Sequence, residues 1–140
     1  MAQRAPRTCE YCLISAEDCY FGFEPDHIIS RKHGGMSEAG NLALACVFCN
    51  RHKGTDLASF SQRTGLLVPL YIPRQERWTD HFALGIDGAT IVPISDVGEV
   101  AVRILRMNAA NRVTERVELR RAGRYPTPEA RFVMSRDPAG

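Results

Sequence analysis

Asp26 and His27 are adjacent in the chain, Asn41 follows, and Asn50 comes directly after Cys49. These residues offer a carboxylate, an imidazole and two carboxamides. An imidazole ionises near neutral pH and can take a proton from an attacking water. A carboxylate and a carboxamide are hard oxygen donors, suited to hold one divalent cation from two directions and leave positions open for phosphate oxygens and water. Hydrolysis of a phosphodiester needs both, because negative charge grows on the phosphoryl and leaving oxygens as water loses its proton. Asp26 and Asn50 are therefore candidate ligands of a catalytic cation, and His27 is the candidate base. Arg51, His52 and Lys53 lie where a phosphate backbone would pass. A solvated helix face is the competing reading for each.

Two Cys-x-x-Cys pairs bracket this cluster, Cys9-Glu10-Tyr11-Cys12 and Cys46-Val47-Phe48-Cys49. A tight turn of this kind presents two sulfurs to one ion, and two such turns complete the tetrahedral shell of a structural zinc. The alternatives are a redox dithiol or disulfides. A redox pair opens a helix in a thioredoxin-like βαβ unit, and no such pattern is visible. A reducing cytoplasm, the expected setting, favours metal over disulfides. Zinc on Cys46 and Cys49 would also fix where Asn50 points. Cys19 is left over and receives no role.

At 140 residues the chain is one domain, or one small domain with an extension. Its first fifty or so residues are short of a core, and zinc binding can supply about 10 kcal/mol to folding in such a unit. A hydrophobic share of 44% and a charged share of 24% are ordinary for a globular chain. The net charge of +2 says little about partners, but its distribution says more. From Arg103 onward nine arginines, including Arg112, Arg116 and Arg120, face only Glu115, Glu118, Glu129 and Asp137. That makes the C-terminal part the basic one, a footprint for a polyanion or simply a solvated helix face. No run is long and apolar enough for a membrane span, and the N-terminus, a polar arm with Arg4 and Arg7, lacks the apolar run of a signal peptide.

The elements that must position the cluster follow from local pattern. Tyr20 to Ile29 is β-prone, with Pro25 implying an edge or a bulge. Ser30 to Gly40 carries Gly34, Gly35 and Gly40 and reads as an exposed loop. Leu42 to Ala45 is a second strand, antiparallel to the first, and a helix begins at Phe48 or Cys49 with Gly54 as its stop. Gly65 to Pro73 is a proline-punctuated connection. Ala89 to Ile94 is a strand after the turn Asp87-Gly88. Val97, Val100, Ala101, Ile104 and Leu105 mark one helical face, with Ser95 or Asp96 as cap and Asn108 as breaker. A second helix carries Ala110, Val113 and Val117 on one side and Arg112, Arg116 and Arg120 on another, stopped by Gly123 and Pro126.

Asp26-His27-Ile28-Ile29, Gly34-Gly35, Asn41-Leu42 and Cys46-x-x-Cys49-Asn50-x-x-Lys53-Gly54 closely resemble the HNH endonuclease motif. The resemblance implies a ββα-metal finger that cleaves nucleic acid, most readily DNA, and its spacing is similar to the variant ending in Asn. It implies His27 as general base, Asp26 and Asn50 as ligands of Mg²⁺ or Mn²⁺, and Asn41 as the residue that braces the loop and orients the histidine. Cys9, Cys12, Cys46 and Cys49 look like the structural zinc site of the zinc-stapled branch. Leu66 to Arg121 resembles, more loosely, the C-terminal part of stand-alone bacterial HNH proteins. The expected fold is thus α+β. A zinc-stapled finger spans residues 1–62, and a basic extension of one short strand and two helices spans 63–140, packed on the core with a disordered tail from about 126. The competing function is a non-catalytic zinc-stapled nucleic-acid-binding module.

Overall fold

A computed structural model describes residues 7–19 and 22–137. Arg4 of the N-terminal arm, Tyr20 and Phe21 of the expected first strand, and residues 138–140 lie outside them.

Strands β1 (Phe23–His27) and β2 (Leu42–Cys46) pair antiparallel, with Phe23 opposite Cys46 and His27 opposite Leu42. Pro25 is tolerated because, among the described residues, β1 pairs with β2 alone and keeps a free edge. Ala43 and Ala45 form the buried face of β2. The chain turns from β2 straight into helix α1 (Val47–Lys53). Cys46 is its N-cap: its backbone is extended, and its sulfur accepts the Cys49 N–H at 3.4 Å. The helix starts ahead of the expected Phe48, so Asn50 sits inside it and is not its cap. Gly54 ends it, as expected.

The connection from β1 to β2 carries a 3-10 turn, Arg31–His33, closed by Gly34 in the left-handed conformation at φ 88°. Gly35 is required by close approach: a Cβ there would lie 1.6 Å from the Ile29 carbonyl oxygen.

After α1 come two hairpins, β3 (Ala58–Phe60) with β4 (Leu67–Pro69) and β5 (Phe82–Leu84) with β6 (Ile91–Pro93). Three helices follow: α2 (Asp96–Ile104), α3 (Ala110–Arg121) and α4 (Pro128–Ser135). The C-terminal part is therefore richer than the one strand and two helices expected, because β4, β5 and α4 were not foreseen. The disordered tail expected from about residue 126 is instead α4. Thr127 accepts the Ala130 N–H, Pro128 fills the first helical turn, and Ala130 and Val133 are buried.

These later elements close one core around the first cysteine turn. Trp78, Phe82, Ile91, Val100, Leu105, Met107 and Tyr125 cluster with Tyr11, Leu13 and Ile14. Each residue from Glu10 to Cys12 is also held by a hydrogen bond. Trp78 Nε1 donates to the Tyr11 carbonyl at 2.9 Å, and the Tyr125 hydroxyl donates to that of Cys12 at 2.8 Å. The buried Glu10 carboxylate is forked by Arg74 and also bonded to Arg136 and the Leu44 N–H. Burial works against the Glu10 charge, yet these donors hold its pKa below the ordinary value.

Of the basic face expected on α3, Arg112, Arg116 and Arg120, only Arg120 lies on the surface. Arg112 is 7% exposed and Arg116 is fully buried. Arg116 donates from Nε to the Ala89 carbonyl at 2.7 Å and from its terminal nitrogen to Asn108 Oδ1 at 3.1 Å. Asn108 in turn brackets Ile91, accepting from its N–H and donating to its carbonyl. Arg112 and Arg116 thus face inward one helical turn apart, where long side chains reach distant acceptors, while Arg120 one turn further on is exposed. Among the described residues, no helix is long and apolar enough to cross a membrane.

Candidate active site

Cys9, Cys12, Cys46 and Cys49 converge from the two turns, all buried, with their sulfurs within 4.8 Å of one another. Zinc with arms of about 2.3 Å sets tetrahedral sulfurs about 3.8 Å apart, and Cys12 Sγ lies 3.8 Å from Cys46 Sγ. In each turn the first sulfur accepts the N–H three residues on, at 3.4 Å, which orients it toward the centre. Contact with Cys12 pushes the Cys46 and Cys49 thiols up, and contact with Cys46 pushes Cys49 up further, while the same neighbours hold the Cys12 thiol well below its ordinary value. Four crowded thiolates repel, so full ionisation needs a cation among them. The donor set fits zinc.

Beside this centre, β1 delivers Asp26 and His27 to different surroundings, as successive strand residues must be. Asp26 is 4% exposed; its Oδ2 accepts the Tyr11 hydroxyl at 2.9 Å and lies 3.2 Å from Lys53 Nζ. Burial raises the Asp26 pKa above its ordinary value, against the pull of Lys53 and Tyr11. Oδ1 is thus the oxygen left for a cation. Lys53 is 2% exposed and also donates to the His27 and Ile28 carbonyls. It is a buried structural partner and not the phosphate contact expected from its charge.

His27 is half-buried, and its Nε2 stands 3.0 Å from Ser37 Oγ, which also receives a bond from Arg31. Asn41 spans the base of the loop. Its Oδ1 accepts the Ile29 N–H at 2.8 Å, and its Nδ2 donates to the Ile29 and Met36 carbonyls at 2.9 and 2.8 Å. Asn50 lies on α1 one turn before Lys53, hence on the face turned toward β1. Its carboxamide has no hydrogen bond among the described residues and stays available. His52 donates from Nδ1 to the Phe48 carbonyl at 2.9 Å and packs on that ring, while Arg51 is exposed.

Residues 9–56 match the family model described as HNH endonuclease. The chain carries an HNH domain. No curated protein and no solved structure matches the chain. The HNH domain begins and ends within the elements just described: the cysteine turns, β1, the glycine loop, β2 and α1. It joins Asp26 to Lys53 and Tyr11, His27 to Ser37, and Asn41 to both ends of the loop. Tyr11, Ser37 and Arg112 were missed by sequence reasoning. Lys53 carried a signal, since it recurs at helical spacing after Cys49 and Asn50, but charge alone could not say which way it faced. For Tyr11, its place between two metal ligands was the available sign.

Proposed function

We propose that the HNH domain is a metal-dependent endonuclease that hydrolyses phosphodiester bonds of nucleic acid, DNA first among them. The observation that carries this reading is the triple hydrogen bond of Asn41, which closes the loop carrying Ser37 against the strand end carrying His27. A loop tied at both ends holds an imidazole at one height and angle, as a general base requires. Ser37 Oγ stands 3.0 Å from His27 Nε2, so an oxygen can reach that nitrogen at hydrogen-bond distance, the approach an attacking water would take. His27 would accept the proton from that water. Lys53 and Tyr11 hold Asp26 by one oxygen and so fix the direction of the other. The hard donors Asp26 Oδ1 and Asn50 suit Mg²⁺ or Mn²⁺, which when bound would stabilise negative charge on the leaving oxygen. Arg51, exposed at the end of α1, is the remaining candidate for a phosphate contact there.

A purely binding role for this zinc-stapled module has less to rest on. Its expected footprint was the segment Arg51 to Lys53 with the basic C-terminal helix; of these Lys53, Arg112 and Arg116 are buried, which leaves Arg51 and Arg120 exposed. The test is plasmid nicking with Mg²⁺ or Mn²⁺ against EDTA. His27→Ala should lose about 10²–10⁴-fold in rate while zinc content and folding remain as in the parent. Nicking by pure His27→Ala protein at the parental rate would show the assignment to be wrong.

A further inference from the structure

Arg112 lies outside the HNH domain, on α3, yet it reaches the metal centre. Its terminal nitrogen stands 3.5 Å from Cys12 Sγ and 3.4 Å from Cys46 Sγ, one sulfur from each cysteine turn. The other arm of the guanidinium binds the Glu115 carboxylate, and its plane lies over the Phe48 ring, 4.6 Å from the centroid. This cation is 7% exposed, and its pKa is held above the ordinary value: burial opposes its charge, but the thiolates and Glu115 more than compensate.

Four thiolates around a doubly charged zinc carry two surplus negative charges, and the sulfurs remain nucleophilic. A charge-assisted donor on a sulfur withdraws electron density from it. We propose that Arg112 damps the reactivity of the zinc thiolates, so that the C-terminal part protects the metal centre against electrophiles. Glu115 sets the strength of this damping because it competes for the same guanidinium. The inference rests on zinc in the four-cysteine site and not on the nuclease reading.

The test uses the zinc-loaded full chain and N-ethylmaleimide. Each addition joins a zinc thiolate to the reagent's double bond, takes one proton from solvent and leaves a neutral thioether that releases the metal. Zinc release is followed with a chromogenic chelator. Arg112→Met, close in volume but neutral, should release zinc roughly tenfold faster. Arg112→Lys should fall between it and the parent, since it keeps the charge but loses the forked donor. Glu115→Gln should release zinc roughly threefold more slowly, because the guanidinium is then left to the sulfurs. Loosened packing would speed release in both the Arg112 and the Glu115 variants. Opposite directions therefore support the proposal. Equal rates across the set, acceleration in both variants, or a purified chain that takes up no zinc would overturn it.

Discussion

Lys53→Met asks whether this side chain faces phosphate or the protein interior. The substitution keeps length and apolar stem but removes the ammonium that stands 3.2 Å from Asp26 Oδ2, in a pair whose side chains are 2% and 5% exposed. Breaking a buried pair from one side costs about 3–5 kcal/mol, because the remaining charge has lost its partner. Asp26 has one escape: it can take up a proton. An ordinary carboxylate loses about 1.4 kcal/mol for each pH unit above its own pKa when forced neutral, so the cost is capped at about 4 kcal/mol at pH 7 and about 3 kcal/mol at pH 6. The sign follows from burial, which already raises the Asp26 pKa, with Lys53 pulling the other way. Without Lys53 the folded-state pKa rises further, so stability falls as pH climbs from the ordinary carboxylate range toward neutrality, and acid recovers it. Equilibrium unfolding in guanidinium with saturating zinc, read by the single tryptophan, buried Trp78, measures this at both pH values. The double variant Asp26→Asn with Lys53→Met removes both charges and should recover at least half of the loss, with little pH dependence left. A Lys53→Met protein within about 0.5 kcal/mol of the parent, as for surface substitutions, would refute the buried-pair reasoning and restore Lys53 as a surface cation.

Cys46→Ala removes both a zinc ligand and the cap of α1. Bound zinc should fall from one equivalent to none by metal analysis, and cooperative unfolding should vanish, since about 10 kcal/mol of metal binding rivals the whole stability of a small domain. Asn41→Ala should cost about 1–3 kcal/mol for the groups it leaves unpaired and should slow cleavage while zinc content holds; unchanged nicking would detach the loop from catalysis. Arg116→Met should cost about 1–3 kcal/mol in thermal or chemical unfolding by stripping donors from the Ala89 carbonyl and Asn108. Ala130→Asp places a charge at a fully buried position of α4. It should prevent cooperative folding by circular dichroism, whereas a loose tail would tolerate it.

What could be read from the residues alone tracks how local each constraint is. A Cys-x-x-Cys turn chelates within four residues, so its spacing carries its geometry, and the two turns do meet. Asn41 likewise acts across one loop, and the resemblance to the HNH motif already marked it as a brace. Lys53, Arg112 and Arg116 were misread for the opposite reason. A cation on a helix looks the same whether it faces water or a distant acceptor, and these acceptors come from elsewhere: Asp26 on β1, Cys12 in the first turn, Ala89 before β6. The net charge near zero was the available hint, because a chain with so few excess cations has little to spare for a polyanion. Helix α4 was a different failure. Thr127-Pro128, followed by Ala130 and Val133, is a helix start with its cap and its apolar side. Next to Gly123 and Pro126 it was taken for a stop, although proline belongs at the first turn of a helix as much as after its end. The consequence for the site is physical. The part of the chain whose role was opaque in sequence supplies Trp78, Tyr125, Arg74, Arg112 and Arg136, which together hold Glu10, Tyr11 and Cys12. Tyr11 then holds Asp26. The stiffness of the proposed cation site is therefore set from outside the HNH domain, through one cysteine turn gripped at Glu10, Tyr11 and Cys12.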